Sequence, residues 1–239
     1  VGDSDNAPEY QRLTGKQIGS KYGFIANGLF QSEEEIANSA TVKGYKALPG
    51  YIKYVDRNGD GIITAAQDQG YVGKSATPKH TGSLNLFGNW KGFDFDLLFS
   101  WGLGNVVALT GQYTASGSVG TQDNTSFTKP FYHGGNSPTF LVENSWTPDN
   151  TNAEFPRLEI SGPSNNNGFS STFWYRNGNY MRLKTAQIGY NFPKKWLTPA
   201  GIEGLRLYVE GYNLLTFSGL TKYNIDPESP AVNNGYYPQ

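Results

Sequence analysis

Apolar and polar positions alternate with a period of two over the best-patterned part of this chain. Within residues 82–103, Leu84, Leu86 and Trp90 share one parity while Ser83, Asn85 and Asn89 take the other, with Phe87 out of phase. Lys91-Gly92 supplies a tight turn. Beyond it Phe93, Phe95, Leu97, Phe99, Trp101 and Leu103 share one face against Asp94, Asp96, Ser100 and Gly102, with Leu98 the exception. Successive side chains of a strand point to opposite sides, so this pattern predicts a hairpin and not a helix. The second arm is also long. Eleven residues span roughly 36 Å, and a tilt of about 45° reduces that to ~25 Å, the height of the apolar band of an outer-membrane barrel. Strands of water-soluble domains usually stop at about 5–6 residues.

A second pair follows. Residues 185–192 set Ala186, Ile188, Tyr190 and Phe192 against Thr185, Gln187, Gly189 and Asn191. Residues 205–212 set Leu205, Leu207, Val209 and Gly211 against Arg206, Tyr208, Glu210 and Tyr212. The link from Pro193 to Gly204 is moderate, whereas residues 104–179 form a long Gly/Ser/Asn-rich tract of weak periodicity. Short links at one end and long ones at the other are the asymmetry of bacterial outer-membrane barrels, and a compact soluble domain seldom carries so long a loop. Four strands cannot close a barrel by themselves, so a soluble sandwich with further strands hidden in the long tract stays open as the alternative. The one clear helix start is Ser32-Glu33-Glu34-Glu35, a capping box with an acidic first turn, predicted to end by Ser39. Pro49-Gly50 precedes a predicted strand over 51–55.

Composition narrows the classes. The 239 residues include 16 Tyr, 14 Phe and 5 Trp, with 30 Gly and 13 Pro, which suits an all-β or loop-rich chain better than a helical bundle. Charged residues are 16%, against roughly 25% in ordinary soluble domains. The net charge of −1 argues against a nucleic-acid partner. The absence of cysteine excludes disulfides, thiolate chemistry and Cys-ligated metals. No apolar run reaches the length of a membrane helix, a test to which alternating strands are blind. The first residues show no basic segment followed by an apolar one, so no signal peptide is read, and the chain is expected to be cytoplasmic, mature or incomplete.

Among candidate sites the sharpest is Asp56-Arg57-Asn58-Gly59-Asp60-Gly61-Ile62. Side-chain oxygens of Asp56, Asn58 and Asp60, a turn at Gly61 and the carbonyl of Ile62 are how a short loop wraps a hard cation, calcium first and magnesium second. The closing acid is displaced: the twelfth position is Gln67, and Asp68, one further on, is the fifth candidate ligand. A water-solvated Asn-Gly/Asp-Gly turn is the plain alternative. Asp94 and Asp96 resemble a carboxylate pair for glycoside hydrolysis, but such pairs come from separate elements flanking the bond. A polar lining explains them better. His80 and His133 fall near Pro or Gly in turns. Tyr132, Trp146, Phe155, Trp174 and Tyr175 are loop aromatics that would stack on sugar rings, pack peptide side chains, or pack on their own loops. No nucleophile elbow, P-loop or dinucleotide fingerprint occurs, and no catalytic residue is assigned.

Several short runs in a fixed order resemble the late barrel region of SusC/RagA-type TonB-dependent outer-membrane transporters. They are Ile18-Gly19-Ser20, Tyr22-Gly23-Phe24, Gly28-Leu29-Phe30-Gln31-Ser32-Glu33-Glu34, Pro49-Gly50-Tyr51-Ile52-Lys53-Tyr54 with the Asp56–Gly61 loop, and the 82–94 hairpin. Trp146-Thr147-Pro148-Asp149-Asn150, Phe155-Pro156-Arg157, Tyr180-Met181-Arg182-Leu183-Lys184 and Ile188-Gly189-Tyr190-Asn191-Phe192-Pro193 follow. Leu205 through Leu215, Asp226-Pro227-Glu228 and Tyr237-Pro238 complete the series.

The resemblance implies that residues 1–239 are the C-terminal part of a barrel of about 22 strands with long extracellular loops. The plug, the TonB box and the last strand are expected to lie outside the chain. It also implies a location in the bacterial outer membrane and energised import of a glycan or oligopeptide. The implied partners are a SusD-like surface lipoprotein, TonB acting through the N-terminal part, and membrane lipid. Phe93, Phe95, Leu97 and Phe99 would face lipid, and Asp94, Asp96, Arg206 and Glu210 the lumen. The alternative remains a calcium-stabilised soluble β-sandwich that binds carbohydrate at the cell surface.

Overall fold

The structure, a computed structural model, describes residues 7–12, 14–109, 139–158 and 166–229. In chain order its elements are β1 (Lys21–Gly23), β2 (Ala26–Leu29), α1 (Glu33–Ala37), β3 (Thr41–Val42), β4 (Ile52–Tyr54), β5 (Ile62–Ile63), α2 (Ala65–Asp68) and β6 (Gly70–Gly73). Then come β7 (His80–Trp90), β8 (Phe93–Leu103), β9 (Val106–Ala108), α3 (Thr139–Glu143), β10 (Tyr175–Asn177), β11 (Tyr180–Asn191), α4 (Lys194–Leu197) and β12 (Arg206–Ser218). Among the described residues strands outnumber helices in regular structure, and no described helix is long and apolar enough to cross a membrane. The contacts divide into two units: residues 77–106 with 177–230, and the rest.

The first unit is a sheet in the order β12-β11-β8-β7, every neighbouring pair antiparallel. The hairpin forms as the alternation predicts. Lys91 and Gly92 take φ values of 51° and 91°, the left-handed pair that joins twisted strands through two residues. Register then decides which residues share a face. Phe93, Phe95, Leu97, Phe99 and Trp101 of β8 stand opposite Trp90, Gly88, Leu86, Leu84 and Gly82 of β7. On their other side they meet Tyr190, Ile188, Ala186, Leu183 and Met181 of β11. Those in turn meet Leu207, Val209, Gly211, Leu215 and Phe217 of β12. One apolar face therefore crosses all four strands. A side chain in place of Gly82 would run into the Trp101 ring, so the small residue leaves room for the large one.

Two irregularities keep that face continuous. In β11 the register shifts between Leu183 and Thr185, leaving Lys184 as a bulge, so apolar residues at odd numbers before it continue at even numbers after it. In β12 the matching level is Asn213, whose φ is +52°. The strand continues through this kink to Ser218, beyond the 205–212 span that alternation alone marks.

The second unit contains much of what the sequence reads as loop. Ser32 caps α1 by accepting the N–H of Glu35 at 3.1 Å, and the helix ends at Ala37, near the predicted stop. The Glu35 carboxylate reaches one residue further back than a capping box requires, accepting the N–H of Gln31 at 2.7 Å. β2 pairs with β4, β1 with β6, and β3 with β5, the last in parallel. Their core is aromatic. Phe24 packs against Tyr54 at 5.0 Å and Phe169 at 5.7 Å, and Phe140 meets Phe155 edge-on at 5.9 Å. Buried Asn167 accepts the N–H of Ile52 at 2.8 Å, and its carbonyl accepts the Trp174 indole N–H at 2.7 Å. Within residues 104–179 the described strands are β9 and β10, which pair with each other as a two-stranded sheet and not as a second layer over the four-stranded one.

Phe155 is fully buried. Phe155→Ala is expected to cost about 3–5 kcal/mol, the range for emptying a buried aromatic site. The change is measured as a lower unfolding temperature of the purified protein.

Candidate functional site

The feature with functional meaning is the contrast between the two sides of the β7–β8–β11–β12 sheet. Its apolar side is uncovered: Ile188 is 60% and Val209 78% exposed, and Leu84, Phe93, Phe95, Leu207, Leu215 and Phe217 are exposed with them. That is the opposite of a sandwich face, whose apolar side chains lie buried. A face of this size left in water would be an aggregation hazard, so it belongs against another apolar phase.

The other side is polar and internally paired. Arg206 on β12 forms an ion pair with Asp94 on β8 and donates to Gln187 at 2.6 Å, while the Asn191 amide donates to Asp94 at 2.7 Å. Asp94 is thus committed to a cation across the sheet, and nothing couples it to Asp96, which lies in register with Phe87 and Gln187. The reading of these two as a catalytic pair has no structural support. Phe87, out of phase in the sequence, sits on this polar side and is exposed. His80 opens β7 and is exposed. His133 and Tyr132 lie outside the described residues.

A second polar cluster escaped the sequence reading. Arg182, buried on β11, donates to Asp226 and Glu228 at 2.7 Å each and to the Thr216 hydroxyl at 2.9 Å. The bulged Lys184 reaches Glu228 at 2.8 Å, and the Ser100 hydroxyl donates to it at 3.2 Å. The chain after β12 is thereby latched across the polar face. Its sequence signal was present in Asp226-Pro227-Glu228, but spacing alone gives those acids no partner.

The acidic loop closes on its own backbone. The Asp56 carboxylate accepts the N–H groups of Gly59 at 2.7 Å and Gly61 at 2.8 Å, and Asp60 accepts that of Ile62 at 2.9 Å. The Asn58 amide also donates to Asp60 at 2.8 Å. That amide and the Ile62 N–H hold the Asp60 carboxyl below its ordinary pKa. Asp68 is fully buried, with one oxygen on the N–H of Arg57 at 2.8 Å and the other on that of Thr64 at 2.7 Å. The structure brings Asp56, Asn58 and Asp60 together at one turn and uses Asp68 to tie the two flanks of the loop. Among the described residues no three His, Cys, Asp or Glu side chains form a group suited to a metal.

The loop aromatics resolve toward packing: Trp146, Phe155 and Trp174 are buried in their own unit, and Tyr175 shares a 2.7 Å hydrogen bond with Ser170. Beside them a recess of about 370 Å³ is lined by Phe24, Val42, Tyr45, Ile63 and Phe169, with Lys43 among its polar members. It is large enough for one side chain or ring.

No protein-family model matches the chain. It is 32% identical over 238 residues to TonB-dependent receptor P3 of Formosa agariphila, a match covering 96% of this chain and 21% of that protein. TonB-dependent receptor P26 of the same organism is 27% identical over 239 residues, covering 95% of this chain and 22% of that one. The chain thus spans about a fifth of the length of the curated relatives it matches, which are named as receptors and not as enzymes. In fold it is similar to the RagAB peptide transporter, with a TM-score of 0.53 and 23% identity, over 84% of this chain and 19% of that chain. The RagAB peptide importer in its open-open state gives a TM-score of 0.52, also at 23% identity, over 83% of this chain and 19% of that chain.

Glu35 offers a pH test in the loop unit. The Lys53 ammonium at 2.8 Å, with the Gln31 N–H, holds its carboxyl below the ordinary value of 4.5. A depressed folded pKa contributes stability that is fully present above 4.5 and is lost as the pH falls through the lower folded value. The unfolding temperatures of the parent protein and Glu35→Gln should therefore differ at neutral pH and converge on acidification.

Proposed function

The chain is a relative of the TonB-dependent receptors, of the SusC/RagA type that its motifs resemble, and from that premise we propose that it forms part of a large transmembrane barrel in the bacterial outer membrane. The observation that carries the reading is the single apolar face running unbroken across β7, β8, β11 and β12, with paired charges on the reverse. In a bilayer the backbone groups of a spanning strand must bond to neighbouring strands, and only side chains meet lipid. The apolar side then faces hydrocarbon and the Asp94–Arg206 side faces the lumen. Both edges of the four-stranded sheet pair with further strands of a longer protein, about 22 in all.

The activity proposed for the whole receptor is TonB-dependent import of a nutrient, a glycan or an oligopeptide. A SusD-like surface lipoprotein captures the substrate, and TonB acts on a plug supplied by the rest of the protein. The wall seals the membrane, while the longer connections and the lumen groups meet the substrate. The relatives' names and the RagAB fold support this reading.

The test is made in the complete receptor. Leu97 lies on β8 between Leu86 and Ala186, in the interior of the apolar face. Leu97→Arg is expected to cost about 2–4 kcal/mol at the bilayer midplane and to reduce the heat-shifted band of folded receptor in the outer-membrane fraction. Normal assembly of that variant overturns the lipid-facing assignment.

A structural cation, calcium before magnesium, is proposed for the acidic loop. Asp56, Asn58, Asp60 and Asp68 would supply side-chain oxygens and Ile62 its carbonyl, Asp68 also holding the loop closed through the N–H groups of Arg57 and Thr64. Calcium is expected to raise the unfolding temperature of the receptor above its value in chelator, and Asp56→Ala to abolish the difference. An unfolding temperature that ignores calcium returns the loop to a turn held by its own N–H groups.

A further inference from the structure

At the end of the sheet that carries the Lys91-Gly92 turn, aromatic rings run without interruption from the strands into the link that follows β11. Phe93 meets Tyr190 at 4.7 Å, Tyr190 meets Phe192 at 5.0 Å, and Phe192 meets Trp196 of α4 at 6.4 Å. Trp90, opposite Phe93 on the edge strand, is exposed, and so is Trp196. Exposed indoles with one apolar body and one N–H favour the boundary between hydrocarbon and water.

Cations are set among these rings. The Lys91 ammonium lies 4.6 Å over the Trp90 ring, and Lys194 and Lys195 immediately precede Trp196 on α4, all exposed. None of the three forms an ion pair among the described residues. Asp94, the acid nearest in sequence to Lys91, is bound to Arg206, and Glu203 is the only acid in the 192–205 link. This end of the sheet therefore sets three lysine ammonium groups, against the single acid Glu203, directly beside its aromatic rim.

We propose that this rim binds anionic phospholipid headgroups of the leaflet at the short-turn end, the periplasmic side in such barrels. The ammonium groups of Lys91, Lys194 and Lys195 meet lipid phosphates while their aliphatic stems, with Trp90, Phe192 and Trp196, lie against the upper acyl chains. The inference rests on the wall reading above and adds a partner to it. Each lysine near an anionic surface contributes roughly a five-fold preference, so a measurable lipid selectivity is expected.

The experiment compares the complete receptor with its K91Q/K194Q/K195Q variant, each solubilised from bilayers of equal phosphatidylglycerol and phosphatidylcholine. Native mass spectrometry then counts the lipids retained. The parent receptor should keep phosphatidylglycerol over phosphatidylcholine by roughly five-fold or more, and the variant should lose that excess while keeping its heat shift. No preference in the parent, or an equal preference in the variant, overturns the proposal. If the triple variant does not assemble, K194Q/K195Q, which lies outside the strands, is read in the same way. A parent receptor that fails to enter bilayers defeats the wall reading as well; one that enters, shifts on heating and shows no preference defeats this inference alone.

Discussion

The sheet depends on parity. A strand has two sides, and a residue's side is fixed by whether its number is odd or even until something interrupts the count. Four strands can present one apolar surface only if their counts agree at every level, and here they agree through unequal insertions. Leu98 and Phe99 are adjacent in β8; their partners Thr185 and Leu183 have Lys184 between them in β11; and Tyr212 and Leu215 in β12 are separated by Asn213 and Leu214. Each step toward β12 takes in one more residue at the same level. Without the bulge at Lys184, Leu183 and Met181 would turn to the polar side, and Arg182 would be carried to the apolar one.

That arrangement explains which parts of the fold were legible in the sequence. The 82–103 hairpin was readable because nothing interrupts its count and because Lys91-Gly92 suits the turn. Residues 185–192 and 205–212 were readable for the same reason, and each reading stopped or changed phase where an irregularity begins. β11 extends back to Tyr180 and β12 onward to Ser218, but alternation restarts across a bulge in the opposite parity, which a fixed period takes for its end. Helix α1 was visible through its cap, a local signal that no distant contact overrides.

The loop unit was largely illegible, and the reason is physical. Its strands are two to four residues long, too short for a period to register, and its core is assembled from rings far apart in the chain, such as Phe24 with Phe169 and Tyr45 with Phe169. The acidic loop shows the division within one motif. Asp56, Asn58 and Asp60 bond to backbone within a few residues, as their spacing suggests. Asp68, the displaced closing acid of the same motif, also ties Arg57 to Thr64, a use that depends on how the chain returns.

The latch on the polar side has a consequence for how that side looks to a solute. Arg182 and Lys184 bring two positive charges, Asp226 and Glu228 two negative ones, and all four lie within hydrogen-bonding distance of one another in pairs. The cluster sums to zero, so beyond its own dimensions it acts as a set of small opposed dipoles. Their field falls off faster than that of a single charge and is further damped within the ~8 Å screening length of physiological salt. The latch fastens a length of chain over the sheet and leaves that stretch of surface neutral to anions and cations alike.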